Sequence, residues 1–462
     1  MRLAPYPEYK DSGVPWLGEI PAHWLEKRAK YFFREVDERS QTGEEEMLSV
    51  SHITGVTPRS HKNVTMFKAE SNVGDKLCRP GDLVINTMWA WMAAMGISNH
   101  AGIVSPSYGV YRPRNSESHD SSYLDRLLRV ESYRSEYIYR STGIRSSRLR
   151  LYPNNFLDIK VICPPREEQT QITRFLDWKT AQINKFIRNK RRLIELLKEQ
   201  KQSIINQAVT RGINPEVRLK PSGVEWIGDI PEHWEVRRIK ILFREVDARS
   251  KTGEEEHLSM SQKHGGLVRS SQLEERRLMS ENYIGGKLCK TGDIVLNRLK
   301  AHLGVFALAP CDGVISPDYT VLRPASGIEP LYYERLLRST AIRAELVTRC
   351  KGIVEGFWRL YTNDFYTIRV TLPPRDEQTR INAEISRRLA HIESAISRAD
   401  REIELIQEYR SRLISDAVTG KIDLRGVEIP EISAEELLNI EEETAEENAS
   451  HEEEIGDENQ RY

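Results

Sequence analysis

The sequence lacks the features that would place it in a membrane or outside the cell. Its 462 residues contain no apolar run near the ~18 residues that a transmembrane helix needs. The first residues, MRLAPYPEYKDSG, have no apolar core followed by a small-residue cleavage site, so no signal peptide is predicted. The five cysteines show neither a C-x-x-C pair nor the spacing of a metal site. These absences predict a cytoplasmic chain with no disulfide framework and no metal site.

Motifs that carry catalysis are also missing. There is no GxxxxGK phosphate loop ending in Ser or Thr, no GxGxxG after a strand and no HExxH. Both Pro-Pro pairs lead into arginine, unlike the Pro-Pro-aromatic motif with which amino-methyltransferases hold a flipped base. Asp82 and Asp293 follow glycine before an apolar run, which indicates turns, and His23 and His233 beside tryptophan indicate structural histidines. The chain is therefore predicted to have no catalytic residues.

What the sequence does contain is a duplication. SGVPWLGEIPAHW at residues 12–24 returns as SGVEWIGDIPEHW at 222–234, and GDKLCRPGDLVIN at 74–86 returns as GGKLCKTGDIVLN at 285–297. Further along, RLYPNNF returns as RLYTNDF, and PPREEQTQI returns as PPRDEQTRI. The offset stays near 210 residues, which is far too long for a solenoid repeat. One whole unit is therefore present twice.

Each repeat has the pattern of a mixed globular part followed by a long helix. Short β-rich runs such as DLVIN and GVYRP alternate with Gly, Pro and Asn turn signals. The segment YLDRLLRVESYRSEYIYRS has the spacing of an amphipathic helix. The predicted fold class is α/β (mixed α+β), with two tandem pseudo-symmetric domains separated by two long helices.

The two long helices share one heptad pattern. Residues 167–209 contain no proline or glycine, and apolar residues recur at steps of three, four and seven in both repeats. Two rods of roughly 60 Å in one register are expected to pair, although each could instead cover only its own domain. Lys190 and Lys201 interrupt the first seam, and Ala399 and Arg410 interrupt the second. The predicted seam comprises Leu176, Ile183, Ile187, Ile194 and Leu197 in the first helix and Ile385, Ile392, Ile396, Ile403 and Ile406 in the second.

The formal net charge of −1 averages two unlike regions. Residues 433–462 hold twelve acids against one base, a net of −11, so the remaining residues carry +10. The acidic end has no apolar periodicity and is predicted to be a disordered tail. The basic remainder is compatible with a polyanionic partner.

The repeats differ in three places. These are 52–72 against 262–282, 87–101 against 298–311, and 142–150 against 351–359. They are rich in side chains that contact phosphates and base edges, so one scaffold with two unlike sets of segments suggests two related ligands read differently. Drift in unconstrained loops is the alternative for any one segment. The DNA-binding candidates are Arg59, His61, Lys62, Asn63, Arg145 and Arg148 in the first repeat and Lys263, His264, Arg269, Arg298 and Lys300 in the second.

On these blocks the chain resembles a type I restriction-modification specificity subunit. The resemblance covers roughly residues 9–425 and rests on the repeated SGVxWxGxIPxHW, on GDLVIN and GDIVLN, on VSPSY and ISPDY, and above all on PPREEQTQI and PPRDEQTRI. It implies two target-recognition domains, each reading half of a split DNA sequence. It also implies that the two helices form an antiparallel coiled coil that sets the gap between the halves. The acidic tail is not part of the family pattern.

The resemblance further implies which partners and cofactors to expect. The partners are double-stranded DNA, two methyltransferase (modification) subunits and restriction/translocase subunits, with no membrane. S-adenosylmethionine, ATP and Mg²⁺ belong to the partner subunits, and none is expected in this chain. The implied division is a first recognition domain at 1–165, a spacer helix at 166–212, a second recognition domain at 213–374, a second spacer helix at 375–424 and an acidic tail at 425–462.

Two other functions remain open from the residues themselves. One is a coiled-coil scaffold whose domains bind protein, and the other is a self-sufficient DNA methyltransferase or nuclease with divergent motifs.

Overall fold

The computed structural model describes residues 3–52, 54–61, 71–115, 119–143, 149–261, 266–273, 283–352 and 358–430. These residues form two compact units. Unit 1 consists of the described residues within Met1–Lys190 and Arg401–Tyr462, and unit 2 is formed by those within Arg191–Asp400. Each unit contains one copy of the repeated globular part and parts of both long helices. No helix among the described residues is long and apolar enough to cross a membrane.

Unit 1 is built on a four-stranded antiparallel sheet in the order β4-β11-β8-β9, flanked by the two-stranded pairs β1-β2, β3-β12, β5-β6 and β7-β10. Residues alternate along its central strand, since Leu83 and Ile85 enter the main core while Val84 enters a second cluster. The strands are β1 Tyr9–Asp11, β2 Glu19–Pro21, β3 Leu25–Arg28, β4 Phe33–Val36, β5 Leu48–Ser51, β6 Gly55–Pro58, β7 Lys76–Cys78, β8 Leu83–Ile85, β9 Met95–Ile97, β10 Gly102–Val104, β11 Gly109–Pro113 and β12 Lys160–Cys163. The helices are α1 Ser121–Leu128, α2 Glu131–Arg140 and α3 Pro153–Leu157, followed by the long α4 Arg166–Arg211.

Unit 2 repeats this architecture, with a sheet in the order β16-β23-β20-β21. Its strands are β13 Leu219–Pro221, β14 Asp229–Pro231, β15 Glu235–Arg238, β16 Phe243–Val246, β17 Leu258–Ser261, β18 Gly266–Arg269, β19 Lys287–Cys289, β20 Ile294–Asn297, β21 Phe306–Leu308, β22 Gly313–Ile315, β23 Tyr319–Pro324 and β24 Arg369–Leu372. Its helices are α5 Ile239–Leu242, α6 Pro330–Arg338, α7 Arg343–Arg349, α8 Thr362–Thr367 and the long α9 Arg375–Val418. The predicted fold class is confirmed, including the duplication.

Both long helices begin after a Pro-Pro pair and end before a glycine. Gly212 and Gly420 have φ values of +78° and +79°, the left-handed conformation that glycine adopts without strain at a helix C-terminus. The second helix therefore ends at Val418, before the boundary of 424 expected from the sequence, because the chain turns at Gly420.

The two helices pair in opposite directions. In unit 1, Arg410 donates to Asn184 Oδ1 at 3.0 Å, and Lys190 pairs with Glu402 at 2.5 Å, so rising numbers on α4 meet falling numbers on α9. In unit 2, Lys201 pairs with Glu393 at 2.5 Å. The polar residues that interrupt the seam are thus matched across the helices. Of the predicted seam residues, six are buried (Leu176, Ile183, Ile187, Ile194, Ile385 and Ile392) and four are half-buried (Leu197, Ile396, Ile403 and Ile406).

The PPRxEQ motif joins the start of each long helix to the globular part of its unit. The buried Gln169 side chain donates to Pro164 O at 2.8 Å and accepts from the Asp120 backbone N–H at 2.7 Å. Gln378 does the same with Pro373 O at 2.8 Å and the Glu329 N–H at 2.9 Å. The amide therefore bonds the start of the helix to the loop before α1 or α6.

The preceding glutamate contacts the repeated IPxHW segment. Glu168 lies 2.8 Å from His23 Nε2, and Glu377 lies 2.7 Å from His233 Nε2. Trp24 and Trp234 are fully buried. The repeated histidine thus contacts the start of each long helix, which gives the recurring opening segment a structural role. In unit 1 the indole of Trp24 also donates to Glu168 at 3.0 Å.

Candidate nucleic-acid interface

Both units present the same sharp backbone corner after the central strand of the sheet. In unit 1 it runs from residue 87 to 94, and in unit 2 from 298 to 305. Trp89 has φ −119° and ψ 13°, and Lys300 has φ −116° and ψ 19°. The corner then closes with a left-handed residue, Ala93 at φ 59° or Gly304 at φ 71°. Two different sequences therefore share one backbone conformation.

A buried alanine and matched hydrogen bonds hold each corner in place. Ala90 and Ala301 are fully buried at the centre of the turn. Thr87 Oγ1 donates to Ser107 O at 2.8 Å, and Arg298 Nε donates to Asp318 O at 2.7 Å. Each first residue of the corner therefore bonds the loop before the neighbouring strand, although one is threonine and the other arginine.

The second divergent loop has its base beside this corner. Thr142 and Arg150 exchange two backbone hydrogen bonds of 3.0 Å, and Lys351 and Arg359 exchange two of 2.9 and 2.8 Å. The next residue then donates to the corner, since Leu151 N lies 3.1 Å from Thr87 O. Leu360 N lies at the same distance from Arg298 O. Segments more than fifty residues apart in sequence are thus joined at one place.

The third divergent segment follows a hairpin that packs against the strand after the corner. In unit 1, β6 lies on β9, and in unit 2, β18 lies on β21. Each hairpin continues into a short 3-10 turn, whose first amide donates to the strand before it, as Arg59 N does to Met47 O at 2.8 Å. The same bond joins Ser270 N to His257 O at 2.9 Å. The described parts of the other two divergent segments therefore lie beside the corner, or beside the strand that follows it, in each unit.

The structure locates four of the predicted DNA-binding side chains. Arg59 is half-buried at the start of its 3-10 turn, and Arg269 is exposed at the end of β18. Arg298 is half-buried and Lys300 exposed, both on the corner of unit 2. The backbone of His61 ends the turn after β6. Outside the described residues lie Lys62, Asn63, Arg145, Arg148, Lys263 and His264.

Aromatic rings distinguish the two corners. In unit 1, Trp89 and Trp91 stack with ring centroids 6.4 Å apart, and 42% of Trp89 is exposed. In unit 2, Lys300 and His302 occupy these positions, and His302 meets Trp358 of the neighbouring loop edge to face at 5.2 Å. One corner therefore presents an indole where the other presents an ammonium group.

A second aromatic pair lies at the hairpin of unit 2. The rings of His257 and Tyr283 stack 3.6 Å apart. Burial lowers the pKa of His257, so its imidazole is neutral at pH 7. This pair therefore offers ring surface and hydrogen-bonding capacity without charge.

Sequence reasoning missed four exposed residues beside the corner, because they repeat and repeated residues were assigned to the scaffold. Arg150 and Arg359 are exposed at the loop bases. Tyr152 and Tyr361, two residues further on, are 53% and 47% exposed. The repeated RLYxNxF contains them, and only its leucine and phenylalanine are buried in both copies. Packing in the core therefore does not account for the repeated arginine and tyrosine. A large polar residue kept on the surface of both units favours a contact common to both ligands.

Metal-binding geometry is not found in the described part of the chain. No group of three or more His, Cys, Asp or Glu side chains there could hold a metal ion. The buried thiols are poor nucleophiles, since burial raises the pKa of Cys78 to about 11 and that of Cys289 to about 12. The five cysteines are free.

Known proteins are similar to this chain in sequence and in fold. The chain is 24% identical over 328 residues to the type I restriction enzyme MjaVIII specificity subunit of Methanocaldococcus jannaschii, covering 67% of this chain and 72% of that protein. It is 23% identical over 326 residues to the putative MjaX specificity subunit of the same organism, covering 67% and 70%. A chain in a solved structure of a type I restriction-modification system shares the fold, with a TM-score of 0.62 at 15% identity over 87% of this chain and 99% of that one. No protein-family model matches the chain.

Proposed function

The chain is a specificity subunit of the type I restriction-modification family, and on that premise we propose that its two recognition domains each read one half of a split DNA sequence. The observation that carries the proposal is the corner, where one backbone presents unlike side chains in the two units and contacts the bases of the neighbouring divergent loops. Two related domains that read different half-sequences are expected to share one backbone conformation and to differ in the side chains that contact the bases.

We propose that the boundaries of these functional parts follow the sequence repeats. Residues 1–165 and 213–374 are the recognition domains, 166–212 and 375–424 contain the spacer helices, and 425–462 is the acidic tail. The PPRxEQ motif supports these boundaries, because its buried glutamine joins each helix to a recognition domain. The chain is not catalytic, and it acts through its partners.

The partners proposed are two methyltransferase subunits, which bring S-adenosylmethionine, and restriction subunits, which use ATP and Mg²⁺. Exposed apolar side chains on the long helices support docking of other subunits. They are Phe186, Leu405 and Tyr409 in unit 1 and Leu193 and Leu196 in unit 2. Because these partners act on chromosomal DNA, we propose that the complex works in the cytoplasm.

Methylome sequencing of a host that expresses the chain with its modification subunits tests the proposal. The expected result is one methylated sequence made of two unlike halves separated by an unspecified gap. Absence of such a sequence, with the complex assembled, would contradict the DNA-reading function and favour a protein-binding scaffold. Incubating the chain alone with labelled S-adenosylmethionine and DNA tests the enzymatic alternative, and no transfer of label is expected.

Arg150 and Arg359 are proposed to contact phosphates. Both are exposed and repeated, and each lies next to a divergent loop, as expected of a contact that does not depend on sequence. Replacing either with alanine should weaken binding of the assembled complex to matched and mismatched DNA by a similar factor. The slope of log affinity against log salt concentration should fall by about one for each residue removed.

Lysine at the same position is the control for that experiment. Arg150→Lys or Arg359→Lys keeps the charge and should keep the salt slope. A change in the preferred sequence, or an unchanged salt slope in the alanine variant, would contradict the phosphate assignment.

A further inference from the structure

We propose that Arg298 reads a guanine in the half-sequence bound by unit 2, and that unit 1 lacks this contact because Thr87 stands at the equivalent position. The inference rests on the proposed DNA-reading function and names one base contact within it. Arg298 and Thr87 occupy equivalent positions, and the guanidinium of Arg298 keeps hydrogen-bond donors that the fold does not use. The fold alone does not require arginine at this position.

Arg298 and Thr87 are equivalent by their contacts as well as by sequence. Each begins the corner, Thr87 two residues after the end of β8 and Arg298 directly after β20. Each accepts a hydrogen bond on its carbonyl from the residue after the divergent loop, at 3.1 Å in both units. Each donates a side-chain hydrogen bond to the loop before the neighbouring strand, to Ser107 O in unit 1 and Asp318 O in unit 2. The two residues therefore differ in the part of the side chain that lies beyond the donor of this hydrogen bond.

Beyond that hydrogen bond, the Arg298 side chain still has its two terminal nitrogens, Nη1 and Nη2, with their N–H donors. The Nε–H is used by Asp318 O, which fixes the plane of the guanidinium. Among the described residues, the two Nη groups have no hydrogen-bond acceptor. A guanidinium anchored in this way offers the parallel donors that match O6 and N7 of guanine in the major groove. Threonine, with its hydroxyl used by Ser107 O, has no such pair.

A purely structural role does not account for arginine. Thr87 makes the equivalent side-chain hydrogen bond to a backbone carbonyl with a much shorter side chain, and the corner has nearly the same φ and ψ in both units. A nearby exposed position also gains a positive charge in unit 2, where Lys300 stands at the position of Trp89. Unit 2 thus presents two cations where unit 1 presents a hydroxyl and an indole. Cations favour the acceptor-rich edge of guanine.

The test uses the intact complex with its modification subunits and DNA duplexes that carry its methylated sequence. Each guanine of the half read by unit 2 is replaced in turn by 7-deazaguanine, which lacks the N7 acceptor. For one guanine, affinity should fall about fivefold to tenfold with the native chain, since one of two hydrogen bonds is lost. With Arg298→Thr, which installs the residue of unit 1, the same replacement should have no effect. Methylome sequencing of that variant should show one G·C position relaxed and the other half unchanged.

The outcomes distinguish a failure of the guanine contact from a failure of the proposed function. If the native complex methylates a split sequence but no 7-deazaguanine lowers its affinity, or if the effect persists in Arg298→Thr, the guanine contact is wrong and the DNA-reading function stands. If the native complex methylates no split sequence, the proposed function itself fails. Should Arg298→Thr fail to assemble, Arg298→Met replaces it, because methionine keeps an extended side chain without any N–H donor and should abolish the 7-deazaguanine effect.

Discussion

Replacing residues 25–165 with the chain's own residues 235–374 should give a subunit that reads the same half-sequence twice. The methylated sequence should lose the half bound by unit 1 completely and keep the half bound by unit 2. The physical reason is that the divergent segments all lie within the exchanged residues, while the long helices and the repeated IPxHW segments stay in place. Methylome sequencing of a host that expresses the exchanged chain with its partners measures the result.

The exchanged domain should fit its new position because the two units make the same anchoring contacts. Tyr123 OH donates to Val418 O at the end of α9 at 3.0 Å, and Tyr332 OH donates to Val209 O at the end of α4 at 2.9 Å. The amides of Asp120 and Glu329 both donate to the buried glutamine of PPRxEQ. A transferred Tyr332 therefore meets the acceptor that Tyr123 leaves.

The reciprocal exchange is the control. Placing residues 25–165 at 235–374 should produce the opposite doubled half-sequence with the same efficiency. If both halves change in either exchange, specificity does not divide between the repeats. If neither half changes, the bases are read outside the exchanged residues, and the assignment of the recognition domains is wrong.

The repeat and the heptad pattern predicted the larger part of this fold. Apolar spacing predicted two long helices, and their antiparallel pairing, implied by the family resemblance, is confirmed. Lys190 and Lys201, which interrupt the first seam, pair with Glu402 and Glu393 on the opposite helix. Their partners lie about two hundred residues away, and only the register of the folded helices brings them together.

The candidate interface was less predictable. The divergent segments could be found by comparing the repeats, but their convergence on one corner depends on hydrogen bonds between Thr87 or Arg298 and distant backbone. Repetition also cannot separate a buried residue from an exposed one. Trp24 and Tyr152 both recur in the second repeat, yet one is fully buried and the other is 53% exposed. Which repeated residues face a ligand follows from packing alone.

Replacing Asp293 with asparagine should destabilise unit 2 by about 3 kcal/mol, because it removes the buried carboxylate that is hydrogen-bonded to the half-buried Arg323. Asp293 is 2% exposed. It accepts from Arg323 Nε at 2.9 Å and Nη2 at 2.7 Å, and from the Lys290 N–H at 2.8 Å. Arg323 is a quarter exposed, which places the cost at the lower end of the range for breaking a buried ion pair. Hydrogen exchange of the β20 and β23 amides measures the free energy of opening in this unit.

The equivalent change in unit 1, Asp82→Asn, should cost less, about 2 kcal/mol, although Asp82 accepts the same three bonds. The difference lies in Arg112, which also donates to Glu38 at 2.7 Å and keeps that carboxylate when Asp82 is neutral. Unit 2 has Ala248 at the position of Glu38. Ala248→Glu in the Asp293→Asn background should therefore recover about 1 kcal/mol, which ties the asymmetry to the second carboxylate. Equal costs in the two units, or no recovery, would mean that the arginine charge is already neutralised by solvent and that the buried carboxylate acts only through its hydrogen bonds to the turn.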